Sequence, residues 1–531
     1  MALNTIIASI AFIALIFEIL VDYKRDLMML QQNSYRPERY GKWLSSSGDT
    51  TSYRRLGALA VLFFTLSTFS RPWISMALAA LLAIFSIIYL FSQKYKKPLV
   101  WTARAKRIYF LTIVVTLAII SVVEILFCNG AIENSLYLGS ICLLGCMAGS
   151  YIIVQISNWC LKPVENAIGQ RYINEAKVML KQMPDLKVIG ITGSYGKTST
   201  KHYLSHILET QYDTLITPGS YNTTMGVVRT VREMLKPYNE VFIVEMGAKK
   251  PGDIKEICDI VKPEIGIITA VGPQHLESFK SIERVQATKF ELADSLPSNG
   301  VAIVNDDFEF VANREVNNSS CVRYAINSAN ADFRATDISY SSNGTSFTVE
   351  GPDGFSLKLN TQLMGECNVS NLLGAVTAAH LMGVPDAKIA AAVASIQPVE
   401  HRLSIKRTPA GVTILDDAFN SNPVGSKMAL KTLGTFKNGR RIVITPGMIE
   451  LGDKQYEANY ELGRYIAQNT DIAIIVGQYN RDPLSAGIKD GEYPGTIVLK
   501  DTFNEAQEYL STIVKSGDTV LYENDLPDTF K

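Results

Sequence analysis

The residues of this chain most clearly arranged for chemistry form a short glycine-containing loop. It reads Thr192-Gly193-Ser194-Tyr195-Gly196-Lys197-Thr198; a β-branched run, residues 187–191, precedes it, and a helical stretch begins at Ser199. A strand, a glycine loop and a helix N-terminus in this order turn backbone N–H groups toward phosphate oxygens. Lys197 would reach the outer phosphates, and Thr198 could ligate Mg²⁺. Although Ile191 replaces the first glycine of the usual pattern, the sequence predicts a nucleotide site formed by residues 192–199.

A carboxylate and an imidazole follow two further predicted strands. The apolar run 241–244 ends at Glu245, and the run 265–270 leads to His275. Because open α/β sheets bind ligands at the carboxyl ends of their strands, we expect both side chains near the loop. Carboxylate oxygens are ligands that Mg²⁺ prefers. A single histidine at a strand end is more often structural, but its position beside Glu245 and the loop favours a functional role.

The loop without its leading glycine resembles the ATP loop of the Mur ligase family, whose members use ATP to form amide bonds to amino acids during cell-wall synthesis. The resemblance implies ATP, two Mg²⁺ ions and metal ligands at Thr198, Glu245 and His275. It also implies that Lys289 is carbamylated and helps to hold the second ion. Without the family, Lys289 on its predicted helix is as well explained as a surface lysine. The catalytic residues implied here are Lys197, His275 and Lys289.

Further segments extend the resemblance to the acceptor and the nucleotide. Residues 218–226 are similar to the family's acceptor-facing loop, which contains Asn222 in this chain. The segment Gly365-Glu366-Cys367-Asn368 resembles a family motif in which Asn368 would contact adenine, although Cys367 replaces a histidine. Arg402 matches the family's arginine at the hinge to the third domain, and the resemblance implies that it reaches the nucleotide.

The C-terminal part resembles the branch of the family that adds D-alanyl-D-alanine. Residues 416–423 read Asp-Asp-Ala-Phe-Asn-Ser-Asn-Pro, which implies that Asp417 contacts the nucleotide and that Asn420 and Asn422 position the incoming amine as the domain closes. The end of the chain departs from that branch, because Glu523-Asn524-Asp525-Leu526 stands where Lys-Gly-Ser-Arg is usual. The identity of the amino component therefore stays open.

The first 160 residues have the composition of a membrane domain. The whole chain is 47% apolar and only 19% charged. Five apolar stretches approach the roughly 20 residues that a bilayer-spanning helix needs; they cover residues 3–21, 56–69, 73–91, 108–127 and 136–159. The first lacks the basic start and the cleavage pattern of a signal peptide, so we expect it to be retained. Five spans are predicted, with four as the alternative because the second stretch is short. Glu18 and Glu124 are interpreted as interfacial, since each lies near a span end.

Charge placement predicts the orientation of these spans. Residues up to Cys160 include 14 basic and 7 acidic side chains, whereas the rest include 37 basic and 44 acidic ones. The basic residues cluster in the loops 22–55 and 92–107, which the positive-inside rule assigns to the cytoplasm. The sequence thus predicts a multi-pass protein of the cytoplasmic (inner) membrane, in contact with the lipid bilayer, with everything after Trp159 in the cytosol. A net charge of zero gives no reason to expect a nucleic-acid partner.

From about residue 186, short β-branched runs alternate with helical periods, which predicts α/β domains with mostly parallel sheets. We predict an α-helical membrane domain over residues 1–160, a central P-loop ATP-binding domain over 161–403 with an antiparallel extension at 319–363, and a doubly wound, Rossmann-like domain over 404–531.

The favoured function is a membrane-anchored ATP-dependent amide ligase that acts through an acyl phosphate. It would add an amino acid or a dipeptide to a cell-wall precursor, or to a lipid-linked or polyglutamate-like acceptor. A membrane transport or signalling ATPase, and a scaffold that binds ATP without turnover, are the alternatives.

Overall fold

The computed structural model describes residues 2–67, 72–93, 95, 97–127, 132–219, 221–274, 276–341, 344–418 and 421–525. Within these residues the chain divides into two compact units. The first extends to Gly169, and its described residues form helices but no strand. The second, Gln170–Asp525, contains two β-sheets with helices around them. The predicted domain boundaries at residues 160 and 403 stay predictions.

The helices of the first unit are rich in apolar residues and pack around a core that includes Leu15, Tyr23 and Leu144. Their bounds are α1 Ala2–Gln32, α2 Pro37–Ser46, α3 Tyr53–Ser67, α4 Pro72–Ser92, α5 Ala103–Phe127, α6 Ile132–Ala148 and α7 Ser150–Lys181, with a 3-10 helix at Asp49–Thr51. Helix α1 packs against α4 and α6, and α3 also packs against α6. Helix α7 begins in this unit and ends in the second.

Three helices in the described residues are long and apolar enough to cross a membrane: Leu3–Gln32, Trp73–Ser92 and Ala103–Phe127. The apolar run 136–159, expected as one span, instead forms two helices that meet at an angle of 80°, so a fourth span requires this bent pair to act together. Helix α3 has 15 residues, fewer than the roughly 20 that a span needs. The prediction of five spans therefore stays a prediction.

A buried network of charged side chains connects the helices of the first unit. Arg54 Nη1 lies 2.9 Å from Asp22 Oδ1 and 3.6 Å from Glu18 Oε1, and the Ser86 hydroxyl donates a 2.7 Å hydrogen bond to Glu18. The Glu18 side chain is fully buried. Helix α1 continues to Gln32 and directs this carboxylate into the helix bundle, and its interpretation as an interfacial residue stays a prediction.

The central sheet has nine strands in the order β2-β3-β1-β4-β5-β6-β7-β8-β9. The strands are β1 Lys187–Thr192, β2 Thr214–Ile216, β3 Val241–Glu245, β4 Ile265–Ile268, β5 Val301–Asn305, β6 Ser320–Ala325, β7 Phe333–Ser341, β8 Gly344–Glu350 and β9 Ser356–Thr361. Pairing is parallel from β2 through β7 and antiparallel at β7–β8 and β8–β9. The antiparallel extension expected over residues 319–363 therefore begins only at β7, because β6 pairs in parallel with both of its neighbours. Strand β3 is buried along its whole length, which is typical of a strand covered on both faces.

Helices pack against this sheet. They are α8 Lys197–Leu208, α9 Thr224–Met234, α10 Asp253–Val261, α11 Leu276–Phe279, α12 Ile282–Asp294, α13 Glu309–Ala312, α14 Glu366–Leu381 and α15 Asp386–Ser395, with a 3-10 helix at Pro352–Gly354. Side-chain caps fix several starts; the Ser281 hydroxyl, for example, accepts a hydrogen bond from the Arg284 N–H at the start of α12.

The C-terminal sheet has six strands in the order β10-β11-β15-β12-β13-β14, parallel except for the antiparallel β10–β11 pair. Its elements are β10 Ser404–Arg407, β11 Thr413–Asp417, α16 Pro423–Gly434, β12 Arg441–Thr445, α17 Gln455–Asn469, β13 Ile472–Val476, α18 Arg481–Asp490, β14 Thr496–Lys500, α19 Phe503–Ile513 and β15 Thr519–Glu523, with a 3-10 helix at Gly452–Lys454. The predicted fold class, helical apolar segments followed by two α/β domains, is confirmed.

Candidate functional site

The predicted phosphate loop connects β1 to α8, and its glycines have the backbone conformations that such a loop needs. Gly193 has φ +150° and Gly196 has φ +80°, both in the region that side chains disfavour. A Cβ atom at Gly193 would collide with Thr269, and one at Gly196 would collide with Asn371. Helix α8 begins immediately after Gly196, so its free N–H groups face the loop. This cradle fits a phosphate group.

Lys197, the first residue of α8, folds back over the loop. Its Nζ donates a 2.7 Å hydrogen bond to the Gly193 carbonyl oxygen and a 3.3 Å bond to that of Ser194. Burial, opposed by Glu245, lowers the pKa of Lys197 to about 8. Thr198 and Ser199 follow on the first turn of the helix, where the hydroxyl of Thr198 is half-buried.

The remaining loop residues are fixed by bonds to neighbouring strands. The Thr192 hydroxyl donates to the Met246 carbonyl oxygen, and the Ser194 N–H donates to the Ala270 carbonyl oxygen. The Ser194 hydroxyl lies 3.1 Å from both the N–H and the carbonyl oxygen of Gly272, and the Tyr195 hydroxyl donates to the Pro273 carbonyl oxygen. The side chains of Thr192, Ser194 and Tyr195 therefore hold the shape of the loop, and their predicted contacts with the nucleotide stay predictions.

Glu245 ends β3 beside the loop and is 1% exposed. Its Oε1 accepts a 2.9 Å hydrogen bond from the Asn222 amide, and its Oε2 lies 3.2 Å from the ammonium nitrogen of Lys201. Although burial raises the pKa of Glu245, the cations Lys201 and Lys197 hold it below its ordinary value. Glu245 is therefore an anion, which suits it to a hard metal ion. Asn222, in the loop predicted to face the acceptor, contacts the proposed metal ligand, and the predicted role of the loop stays a prediction.

Lys201 was not singled out from the sequence. It lies one helical turn after Lys197, is fully buried, and donates 2.7 Å hydrogen bonds to the carbonyl oxygens of Thr217 and Gly219. The signal that could have found it is the i,i+4 spacing from Lys197, which places both lysines on the same side of α8.

Lys289 lies on α12 with its side chain buried, at 2% exposure. Burial, together with the nearby cation of Lys197, lowers the pKa of Lys289 well below its ordinary value. Lys197 and Glu245 both interact electrostatically with it, so the structure brings these three predicted residues together. Glu291, two residues later, accepts hydrogen bonds from the backbone N–H groups of Gly252 and Lys255.

Two predicted catalytic residues, His275 and Asn420, lie outside the described residues. Asn368 is described and buried: its Oδ1 accepts a hydrogen bond from the Tyr203 hydroxyl, and its Nδ2 donates one to the Met364 carbonyl oxygen. The predicted contact with adenine stays a prediction.

Arg402 and Asp417 connect the loop region to the C-terminal domain. Arg402 is half-buried and interacts electrostatically with Asp417 and with Glu245. Burial raises the pKa of Asp417 to about 6 against the opposing effect of Arg402, and its Oδ1 accepts a hydrogen bond from the Leu403 N–H. Asn422 caps α16, where its Oδ1 accepts a 2.8 Å bond from the Gly425 N–H. Its predicted role in positioning the amine stays a prediction.

The chemistry of these residues fits a magnesium nucleotide. Among the described residues, no group of three or more His, Cys, Asp or Glu side chains is arranged to hold a metal ion. Glu245 supplies a carboxylate beside the loop, and a metal would also need the Thr198 hydroxyl and a carboxylated Lys289. The Glu245 Oε2 atom already faces the Lys201 ammonium at 3.2 Å, so a bound metal ion would share this carboxylate with Lys201.

Comparison with known proteins places both α/β domains in one family. Residues 191–379 match the family described as Mur ligase middle domain, and residues 401–522 match the Mur ligase, glutamate ligase domain. The chain is 31% identical over 307 residues to UDP-N-acetylmuramoyl-tripeptide--D-alanyl-D-alanine ligase of Escherichia coli (strain K12), which covers 57% of this chain and 67% of that protein. The enzyme of the same description from Bacillus subtilis (strain 168) is 30% identical, over 55% of this chain and 62% of its own length.

Solved structures agree. MurF from Acinetobacter baumannii is similar with a TM-score of 0.61 and 28% identity, over 67% of this chain and 77% of that one. MurF ligase from Thermotoga maritima, solved in complex with ADP, gives a TM-score of 0.58 and 26% identity over 67% of this chain and 80% of that one. Residues 1–190 lie outside the two family matches.

Proposed function

The chain belongs to the Mur ligase family, and on this basis we propose that it joins an amino component to the carboxylate of a cell-wall precursor. Members of this family are ATP-dependent ligases, which confirms the predicted enzyme class. The observation that carries the proposal is the phosphate loop with Lys197, Glu245 and Lys289 gathered around it. The chain spans about two thirds of the length of its curated relatives, so the substrates are part of the proposal.

In the proposed reaction, an oxygen of the acceptor carboxylate attacks the γ-phosphorus of ATP, and ADP leaves. The amine nitrogen then attacks the carbonyl carbon of the acyl phosphate; inorganic phosphate leaves and the nitrogen loses a proton. The loop N–H groups and Lys197 bind the phosphates and neutralise the charge that moves to the leaving oxygen. Lys197 exchanges its two bonds to loop carbonyl oxygens for bonds to phosphate oxygens.

Bound Mg²⁺ supplies positive charge to the phosphates, and Glu245, Thr198 and Lys289 are the described residues that would hold it. Lys289 is suited to carbamylation, because a lysine amine reacts with CO₂ only when it is uncharged, and burial favours its uncharged form. The nitrogen adds to the carbon of CO₂ and loses one proton, which gives a carbamate anion. That anion turns an uncharged amine close to Glu245 into a second metal ligand.

We also propose that the enzyme works at the cytoplasmic membrane on an acceptor presented there. Three helices of the first unit are long and apolar enough to span a bilayer. A lipid-linked acceptor would be held at the surface to which these helices anchor the ligase. A UDP-linked, soluble acceptor is the second candidate, favoured by the descriptions of the curated relatives.

Mass spectrometry of reactions with the full chain in membranes tests these proposals. The reactions contain ATP, Mg²⁺, and D-alanyl-D-alanine or single amino acids, with UDP-linked or lipid-linked muramyl peptides as acceptors. We expect one acceptor to gain the mass of an amino component minus water, and Lys197→Ala to abolish the product. The exposed Lys236→Ala is the matched control. ATP hydrolysis that proceeds without any amine and without product would contradict a ligase.

A further inference from the structure

Two carboxylates stand side by side at the carboxyl edge of the C-terminal sheet. Asp417 ends β11 and Glu523 ends β15, and the two residues are direct partners in the parallel pairing of these strands. Parallel strands place the side chains at their ends on the same edge, which is where open α/β sheets bind ligands. Neither carboxylate belongs to the phosphate loop.

Glu523 is held rigidly but only one of its oxygens is used. The side chain is 1% exposed, and its Oε1 accepts hydrogen bonds from the hydroxyls of Ser421 at 2.5 Å and Ser426 at 2.6 Å. Its Oε2 is buried and accepts no hydrogen bond in the described structure. Asp417 and Ser421, its strand partner and one of its hydrogen-bond partners, are partly exposed.

An unbonded buried carboxylate oxygen costs stability unless a ligand satisfies it. No lysine or arginine of the described chain forms an ion pair with Glu523, and burial together with Asp417 raises the pKa of Glu523 to about 8. A bound cation would favour the charged form of Glu523, and one that donates hydrogen bonds would also satisfy its unbonded oxygen. A metal ion is disfavoured, because the described His, Cys, Asp and Glu residues form no group of three around one point. An ammonium group, which donates hydrogen bonds, matches the unbonded Oε2 atom better.

We propose that Glu523 recognises an ammonium group of the incoming amino component and selects a diamine or a diamino acid. This inference rests on the proposed ligase function. The recognised ammonium is not the attacking nitrogen, which must be uncharged and close to Lys197 and Glu245. Arg402 interacts electrostatically with both Glu245 and Asp417, and Asp417 is the strand partner of Glu523. The segment that begins at Glu523 is also where the sequence departs from the D-alanyl-D-alanine branch.

Binding measurements on the full chain in detergent with ADP and Mg²⁺ test this specificity without requiring turnover. Lysine, ornithine and 2,4-diaminobutyrate, each as both enantiomers, are compared with norleucine, norvaline and 2-aminobutyrate, which have matching carbon chains without the second amine. We expect at least one diamino acid to bind about 10- to 100-fold more tightly than the monoamino acid with the same carbon chain. This is the ratio of dissociation constants that one charge-assisted hydrogen bond produces. Glu523→Gln should remove that ratio and leave the affinity of the monoamine unchanged. Glu508→Gln, at an exposed glutamate of the same domain, should change neither value.

The outcomes separate this inference from the ligase proposal. If every diamino acid binds the unaltered protein no more tightly than its partner, or if Glu523→Gln weakens both members of a pair equally, the inference is wrong. The comparison of diamino with monoamino acids on the unaltered protein tests the inference even if Glu523→Gln fails to fold. If the diamino preference exists but no acceptor is ever extended, the proposed function fails while the role of Glu523 in binding stands. If ligation occurs, the same ratio should be found in the KM values for the amines, with kcat little changed.

Discussion

Replacing Lys201 with methionine should destabilise the Gln170–Asp525 unit, because the change leaves the Glu245 carboxylate buried without its closest cation. Lys201 Nζ lies 3.2 Å from Glu245 Oε2, and the side chains are 0% and 1% exposed. The same ammonium donates hydrogen bonds to the carbonyl oxygens of Thr217 and Gly219. Removing one partner from such a buried ion pair costs about 3–5 kcal/mol.

This loss should be measurable by scanning calorimetry of the full chain. For a unit of about 350 residues, the entropy of unfolding is about 0.7 kcal/mol/K, so the melting temperature should fall by about 4–7 °C. All four tryptophans, at positions 43, 73, 101 and 159, precede Gln170. Tryptophan fluorescence therefore identifies the transition of the first unit, which should not move.

Two further variants test the cause. Lys201→Met combined with Glu245→Met removes both charges, and it should recover most of the lost stability, because two apolar side chains no longer leave a buried ion unpaired. Lys255→Met breaks an exposed pair with Asp259 and should shift the melting temperature by about 1 °C or less. The reasoning fails if Lys201→Met melts within a degree of the unaltered protein, or if the double variant is less stable than Lys201→Met alone.

The pH dependence of stability gives a second check on the same pair. The pKa of Glu245 is held below its ordinary value by Lys201 and Lys197. Its stabilising contribution is therefore complete above the pKa of the unfolded chain and is lost as the pH falls through the lower pKa of the folded protein. Lys201→Met should therefore lose less of its free energy of unfolding on acidification than the unaltered protein does.

Three other results are expected. Because the pKa of Lys197 is lowered to about 8, the lysine is charged below that pH; ADP affinity, measured by calorimetry, should fall as the pH rises through 8, whereas Lys197→Arg should flatten the profile. Gly196→Ala should abolish ADP binding, because its Cβ would collide with Asn371 and its φ of +80° disfavours a side chain; unchanged ADP affinity would count against the loop geometry. Arg55→Met should destabilise the first unit by about 3–5 kcal/mol, as seen by tryptophan fluorescence, because Arg55 is buried and its Nη2 lies 3.0 Å from Asp26.

Local sequence was sufficient for the phosphate loop. Its strand, glycines and helix are contiguous from residue 187 to 208, so the φ values of Gly193 and Gly196 and the start of α8 depend on neighbours that the sequence shows directly. The same holds for the antiparallel hairpins near residue 350, where alternating side chains indicate the pairing. The bend between α6 and α7 gave no such signal, because the apolar run continues through Gly149 and a single glycine is compatible with a straight helix.

By itself, the sequence determined the order of the elements, the ATP loop and the family to which its motifs point. Contacts between distant residues required the tertiary structure. Glu245 meets Lys201 because β1 and β3 are neighbours in the sheet and α8 packs on both, and Glu523 meets Asp417 because β11 and β15 pair although about 100 residues separate them along the chain. The sequence showed that Glu523 departs from the expected segment, but only the fold buries it and leaves one oxygen unbonded, because burial depends on which strands and loops surround a side chain.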